Sequence, residues 1–278
     1  MLKYLPCVSI LFLRVLDLKL MTIESKENAT IKHLVKLAEN KRYRTQNKQA
    51  VIYGEHLIIE AIKKNLLNSL FVSENSYERY VDIFANLGFT VYKLNVDVVK
   101  KINVLDTVFD IVAIINLPIE QEINFSLDSL VLENIQDPGN LGTILRVAKA
   151  SGINQVILSN DSVDVYNPKV LRSSQGIQFG LSIHYVDNLV DVLEKLKTKL
   201  LALTPHTDNS IYEIDFSKPT TFVFGNEGNG ISQELLEKIE SHVTIPMHGD
   251  TESLNLAMAV TIAAFELSRQ RSVINKSI

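Results

Sequence analysis

Cysteine is nearly missing from this 278-residue chain, with Cys7 as the single copy. Neither a disulfide framework nor a cysteine zinc site can form within one chain, and the usage fits a reducing cytoplasm. Long apolar runs are missing as well. Leu5 to Leu13 is apolar, but Arg14, Asp17 and Lys19 interrupt it well short of the roughly 20 residues a membrane span needs. No membrane partner is expected. Lys19-Leu20-Met21 is also a poor small-residue cleavage site, so residues 1–20 read as an extension upstream of a start at Met21. Excess charge is small: a net −4 argues against a wholesale polyanion coat and leaves room for a local basic face. His248 reads as a loop residue, His184 and His206 lack metal-ligand spacing, and no metal is expected. No Ser-His-Asp set or carboxylate pair stands out.

What is present is an ordinary globular composition, 46% hydrophobic and 22% charged, on a length that accommodates one large or two ordinary domains. Ile31, Leu34, Val35, Leu37 and Ala38 are spaced for an amphipathic helix. Its polar side and the segment after it hold Lys32, Lys36, Lys41, Arg42, Arg44 and Lys48 against one acid, Glu39, with Tyr43 inside the run. That is either a solvated face or a phosphate-contacting edge. Strands at 50–53, 70–72, 90–92 and 111–115, with a helix over 55–63 and a helical stretch between the second and third strands, complete a compact α/β domain over 21–117. The polar, Pro118-bearing stretch after it reads as a linker. From 127 the pattern restarts, with strand candidates at 130–132, 155–158, 182–185, 200–203, 221–224 and 243–245. Helical stretches at 140–150, 167–175, 188–198, 232–240 and 252–270 lie between most of them. Alternation of this kind predicts a mainly parallel sheet covered on both faces.

Three corners of that second domain carry polar residues. In the first, the apolar run at 130–132 enters Asp137-Pro-Gly-Asn140, a tight turn. A helix starting near Gly139 or Asn140 then carries Arg146 about two turns on. The second is Phe224-Gly225-Asn226-Glu227-Gly-Asn-Gly230, where three glycines let the backbone approach a ligand. It lacks the third glycine of a dinucleotide fingerprint and the Gly-Lys-Ser/Thr of a Walker loop. The third is Val243-Thr-Ile245-Pro246-Met-His-Gly249 followed by Glu252-Ser253-Leu254-Asn255, at the start of a long apolar helix where Ser and Asn are common caps.

Asp137-Pro-Gly-Asn140-Leu-Gly-Thr-Ile-Leu-Arg146, Phe224-Gly-Asn-Glu227-Gly-Asn-Gly-Ile and Ile245-Pro-Met…Glu-Ser253-Leu-Asn255-Leu-Ala together resemble the three ordered motifs of the SpoU (TrmH-type) RNA ribose 2′-O-methyltransferases, of the SPOUT superfamily. Asn167-Pro-Lys169-Val-Leu-Arg172-Ser-Ser-Gln-Gly resembles a segment that family carries between its first two motifs. Asn28…Ile31-Lys32…Leu37…Lys41-Arg42…Arg44 and Gly54-Glu55 are similar to the family's small ribosomal-protein-like RNA-binding domain, with Tyr53 where its pattern has an acidic residue.

The resemblance implies a C-terminal SPOUT domain over 127–278, its last segment threaded into a deep trefoil knot, an exception to the usual absence of knots. It implies a homodimer with the active site near the subunit interface. S-adenosylmethionine would be the cofactor, held by Leu203, Gly225, Asn226, Gly230, Ile245, Pro246 and Leu254. The reaction would be methyl transfer to a ribose 2′-hydroxyl, with Arg146 at the reacting hydroxyl and Asn140, Glu227, Ser253 and Asn255 organising the site. A guanidinium stays protonated in proteins, so the arginine is read as an orienting fork that stabilises alkoxide charge, not as a base. Lys32, Lys41, Arg42, Arg44, Lys169 and Arg172 would contact RNA. Ribosomal RNA is favoured over transfer RNA, and a non-catalytic RNA-binding protein is the alternative from another class.

Overall fold

The computed structural model describes residues 19–84, 89–205, 207–249 and 252–276. Of the expected extension over 1–20, only Lys19 and Leu20 fall among them, and the expected boundary lies inside a strand. The first half runs β1 (Lys19–Ile23), α1 (Ala29–Glu39), α2 (Lys41–Asn47), β2 (Gln49–Tyr53), α3 (Glu55–Lys63), β3 (Leu67–Ser73), α4 (Tyr77–Phe84), β4 (Thr90–Leu94), α5 (Val96–Ile102) and β5 (Ile111–Asn116). Its strands form a five-stranded sheet in the order β1-β4-β3-β5-β2. β5 is antiparallel to both its neighbours, and the other pairings are parallel. α1 forms as its spacing predicts. Ile31, Leu34, Leu37 and Ala38 are buried along one face, and Asn28 caps it by accepting the Thr30 N–H at 2.8 Å.

The second half runs β6 (Ser129–Leu132), α6 (Pro138–Ser151), β7 (Gln155–Ser159), α7 (Pro168–Ser174), β8 (Ser182–Val186), α8 (Leu189–Leu193), β9 (Lys199–Leu203), β10 (Thr220–Phe224), α9 (Gln233–Leu236), β11 (Ser241–Val243) and α10 (Leu256–Lys276). Six strands in the order β11-β9-β10-β6-β7-β8 pair in parallel throughout. Alternation along β6 shows why both faces are covered. Leu130 and Leu132 enter a cluster with Ile144 and Leu145 of α6 and Val260 and Ala264 of α10. Val131, between them, enters the opposite cluster with Val192 of α8 and Leu235 of α9.

The two halves are packed together. Leu171 of α7 and Phe179 lie within the cluster built by Ile52, Leu57 and Ile115 of the first half. Beside that apolar seam, Arg44 of α2 is paired with Asp164 at 2.6 Å, both side chains almost fully buried.

Several element expectations need correction. α2 and α5 stand where no helix is expected, and β1 precedes the expected start. The helices expected over 188–198 and 232–240 shrink to α8 and α9, and α10 begins at Leu256 instead of 252. β11 ends at Val243, because Thr244 leaves the ladder to pair with the preceding loop: its N–H donates to Asn209 O at 2.8 Å and its carbonyl accepts from Ile211 N at 2.9 Å.

Candidate active site at the carboxyl edge of the second sheet

Parallel strands deliver their carboxyl ends to one edge, and that is where open α/β sheets bind ligands. β6 and β10 end in register, Leu132 against Phe224, so the loops after them face each other. Asp137 caps α6, its Oδ1 accepting the Asn140 N–H at 2.6 Å, and Pro138 takes the first helical position. That position needs no N–H and favours a fixed φ. The helix therefore starts one to two residues before the expected Gly139 or Asn140.

Glu227, from the loop after β10, reaches across to this helix start. Its carboxylate accepts the N–H of Asp137 at 3.2 Å, that of Gln136 at 3.3 Å and the Asn140 side-chain amide at 3.2 Å. A carboxylate is favoured at a helix N-terminus, where unpaired N–H groups and the helix dipole are positive. Asn140 in turn accepts from the Asn255 side chain at 3.0 Å. Asn255 does cap α10, taking the N–H of Ala257 at 3.0 Å and of Met258 at 3.3 Å on its Oδ1. Its Nδ2 remains available for Asn140, so capping and site duties fall on opposite ends of one amide. The three motifs thus meet in a single hydrogen-bonded row, Glu227–Asn140–Asn255. These residues, with Gln136, Asp137 and Asn226, line an open cleft of about 580 Å³.

Arg146 lies about two turns along α6, exposed, and its side chain makes no hydrogen bond or ion pair among the described residues. Ser253 is likewise exposed, two residues before Asn255, with no bond among the described residues.

The glycine loop is closed on itself. Asn226 and Gly230 exchange both backbone hydrogen bonds at 2.9 Å. A Cβ on Gly225 would lie 2.0 Å from the Gly230 carbonyl, and Gly230 itself has φ +69°. Asn226 shapes this loop: its Oδ1 takes the N–H of Gly228 at 2.9 Å and of Asn229 at 3.1 Å, and its Nδ2 donates to Asn134 O at 2.8 Å. Its backbone and side chain are thus engaged in holding the loop, and the residue also lines the cleft. Gly225 is different. It is buried, and its peptide N–H makes no hydrogen bond among the described residues; the same holds for the Ile245 N–H. Leu203 and Ile245, half-buried, pack at the rim of the main core, with Leu254 half-buried and Pro246 exposed beside them. An apolar rim with two unanswered backbone donors fits an adenosine moiety, which needs a flat apolar slot and polar partners at its edge.

A second hollow, of about 520 Å³, lies across Asn226 over the ends of β6, β7 and β8, and Glu133, Asp161, Asp187 and Glu234 line it. Four carboxylates make that side hostile to phosphate.

The expected RNA contacts divide. Arg42, Lys169 and Arg172 are exposed, and the Arg172 guanidinium sits 5.9 Å over the Phe109 ring. Lys32 is exposed but paired with Glu27 at 2.6 Å. Arg44 is a correction. It is 3% exposed, with its fork donating to Asp164 and to the carbonyls of Leu37 and Ala38, so no face is left for RNA. Lys41, though exposed, donates to the carbonyls of Asn160 and Ser162 at 3.0 and 3.2 Å and lies 4.7 Å from the Tyr185 ring centre. Among residues the sequence did not single out, Gln136 and Asp164 matter most. Neither stands in a pattern that marks it, since their partners lie about 90 and 120 positions away.

Comparison with known proteins agrees with this geometry. Residues 129–265 match the SpoU rRNA Methylase family, and residues 28–113 match an MRM3-like substrate binding domain. A 23S rRNA (guanosine-2′-O)-methyltransferase of Bacillus subtilis is 32% identical over 248 residues, 88% of this chain and 98% of its own. A 23S rRNA (uridine-2′-O)-methyltransferase of Streptomyces viridochromogenes is 32% identical over 174 residues, 58% of this chain and 61% of its own. The solved structure of the SpoU methyltransferase AviRb from Streptomyces viridochromogenes with AdoMet superimposes with a TM-score of 0.76 at 25% identity, covering 88% of this chain and 99% of that one. An AdoMet-bound rRNA methyltransferase from Sinorhizobium meliloti does so with a TM-score of 0.76, also at 25% identity, over 90% of this chain and 98% of that one. With three motifs joined at one sheet edge and a relative matched over nearly its whole length, the chain belongs to the SpoU family of S-adenosylmethionine-dependent RNA 2′-O-methyltransferases.

Proposed function

We propose that this chain methylates a ribose 2′-hydroxyl of ribosomal RNA, using the Glu227–Asn140–Asn255 row and Arg146 as its catalytic surface. The row is the observation that carries the reading, because it joins two amides and a carboxylate from three segments far apart in sequence at one cleft. Bound S-adenosylmethionine supplies an electrophilic methyl on a sulfonium. The protein's task is to hold a poor nucleophile in line with it and to stabilise the charge that develops on the oxygen. Glu227 fixes the α6 start and the Asn140 amide, and Asn255 locks the other side of that amide. Arg146, unpaired and exposed on the same helix, presents a fork to the target nucleotide. An RNA phosphate serves as proton acceptor.

The relatives support ribosomal RNA, and their differing bases, guanosine and uridine, suit a site that reads the ribose first. A homodimer belongs to the same reading. Met258 and Phe265, 61% and 46% exposed, flank Ile262 on the outer side of α10, and that helix packs against α6. The family's knot is supported by the sheet order, with β9 lying between β11 and β10, and by the bonding of Thr244 into the loop before β10. The reading also places the enzyme in the cytoplasm.

The test is incubation with labelled S-adenosylmethionine and, separately, unmodified ribosomal and transfer RNA, followed by digestion to nucleosides. A 2′-O-methyl nucleoside from ribosomal RNA is expected. Arg146→Ala should lower kcat by at least about 100-fold, the scale for losing one preorganised donor to a developing oxyanion, with cofactor affinity little changed. Methyl on a base, or near-normal transfer by Arg146→Ala, would sink the mechanism.

A further inference from the structure

The basic run of α1 and α2 looks like a phosphate edge, yet two of its cations face the other half of the molecule. Arg44 donates from Nε to Asp164 Oδ2 at 2.6 Å and from Nη1 to Leu37 O at 2.7 Å and Ala38 O at 3.0 Å. Lys41 donates to the carbonyls of Asn160 and Ser162, with its ammonium over Tyr185. Apart from the two α1 carbonyls and the Tyr185 ring, the three partners Asp164, Asn160 and Ser162 belong to the loop between β7 and α7. That loop is itself pinned from within. Asp164 Oδ1 accepts the Tyr166 N–H at 2.9 Å, while the Tyr185 hydroxyl donates to Val163 O at 2.7 Å and accepts from Val165 N at 2.9 Å.

The same loop holds the catalytic corner. Ser162 Oγ accepts the Ile135 N–H at 3.1 Å, Val163 N donates to Ile135 O at 2.8 Å, and the Gln136 side chain donates to Asp161 O at 3.0 Å. Gln136 N and Asp137 N are the backbone donors that hold Glu227. Hydrogen bonds and short backbone links therefore connect α2, through residues 160–164, to the Glu227–Asn140 pair. Buried charge between the halves is a costly way to join them when an apolar seam already lies alongside. It does fix orientation, since a guanidinium fork meets its acceptors only in one geometry.

We propose that Arg44 and Lys41 are positioning residues for methyl transfer: they clamp the 160–164 loop, and through it the corner carrying Asn140, at a set place relative to the RNA-binding surface of the first half. The clamp acts as a ruler between the feature of the RNA that is held and the ribose that is methylated. This rests on the methyltransferase reading above.

Lys41→Ala is the primary variant, because Lys41 is exposed and its loss leaves no buried charge behind. Arg44→Ala strands the Asp164 carboxylate, so Arg44→Lys, which keeps the charge and loses the fork, accompanies it. Steady-state kinetics with full-length ribosomal RNA, cofactor affinity by calorimetry and thermal melting are measured on each, beside the wild type. In Lys41→Ala the expected result is a kcat reduced at least tenfold, with KM for RNA and cofactor affinity within twofold and melting close to wild type. Mapping should also find methyl on riboses next to the normal target. Arg44→Lys should show the same split, and Lys41→Arg should recover most of kcat. A raised KM with unchanged kcat in Lys41→Ala would make Lys41 a phosphate contact and overturn the proposal, as would unchanged kinetics. A wild type that transfers no methyl to any RNA overturns the methyltransferase reading first, and this one with it.

Discussion

A methyl group on Gly225 would sit 2.0 Å from both the carbon and the oxygen of the Gly230 carbonyl and 2.2 Å from Ile231 N. All three are backbone atoms, so no side chain can swing aside. Gly225→Ala should open the Asn226–Gly230 turn, cost about 1–3 kcal/mol as overpacking does, and weaken cofactor binding tenfold or more. Thermal melting and calorimetry with S-adenosylmethionine check it, and unchanged affinity would remove the Gly225 N–H from the cofactor site. Asn255 offers a separable case. Asn255→Asp keeps the Oδ1 that caps α10 and removes the Nδ2 donor to Asn140. Stability should stay within about 0.5 kcal/mol, because Asp and Asn cap equally well, while kcat falls. Asn255→Ala should lose both, with the missing cap costing about 1 kcal/mol in a denaturant melt.

Among elements, the α6–α7 pair shows why a motif glycine need not touch a ligand. Gly142 is buried against α7, where an added Cβ would fall 1.8 Å from Ser173 Oγ and 2.7 Å from its Cβ. Ser173 in turn donates to Pro138 O at 3.1 Å, so α7 braces the first turn of α6. Gly142→Ala should destabilise by about 1–3 kcal/mol and depress activity by displacing Asn140. Adding Ser173→Gly should restore part of the stability, and full additivity of the two losses in chemical denaturation would show that they do not meet. Apart from β1, the strands were legible in the sequence because short apolar runs of Leu, Val, Ile and Phe end in or near Gly, Pro or Asn. So was the site, since each of its corners joins such a run to a helix with recognisable caps. α2 and α5 were not: each spans seven residues, too few for a helical period to declare itself. The clamp was illegible for another reason. Lys41 and Arg44 sit in a run with Arg42, and a sequence cannot distinguish a cation facing phosphate from one facing a carboxylate 120 positions away.

For the whole molecule, the corrected set of exposed cations makes a quantitative claim about salt. Arg42, Lys169 and Arg172 are exposed without an acidic partner among the described residues, whereas Lys32 is paired with Glu27. Each phosphate contact contributes roughly 0.7–0.9 to the slope of log affinity against log salt. Arg42→Ala and Lys169→Ala should each flatten that slope by nearly one, and Lys32→Ala by much less, in filter-binding titrations across salt. Equal effects from all three would mean a diffuse field in place of discrete contacts.

The row of three polar side chains also bears on when the protein becomes an enzyme during its own synthesis. Asn140 and Glu227 emerge before Asn255, and Asn255 is oriented by the helix that follows it, whose Ala257 and Met258 N–H groups it caps. A nascent chain can build β6, α6 and the glycine loop and still leave the Asn140 amide held on one side only. Catalytic geometry is thus withheld until α10 has left the exit tunnel and folded back over the sheet. On this account the nascent chain stays silent toward RNA while α10 is still being made.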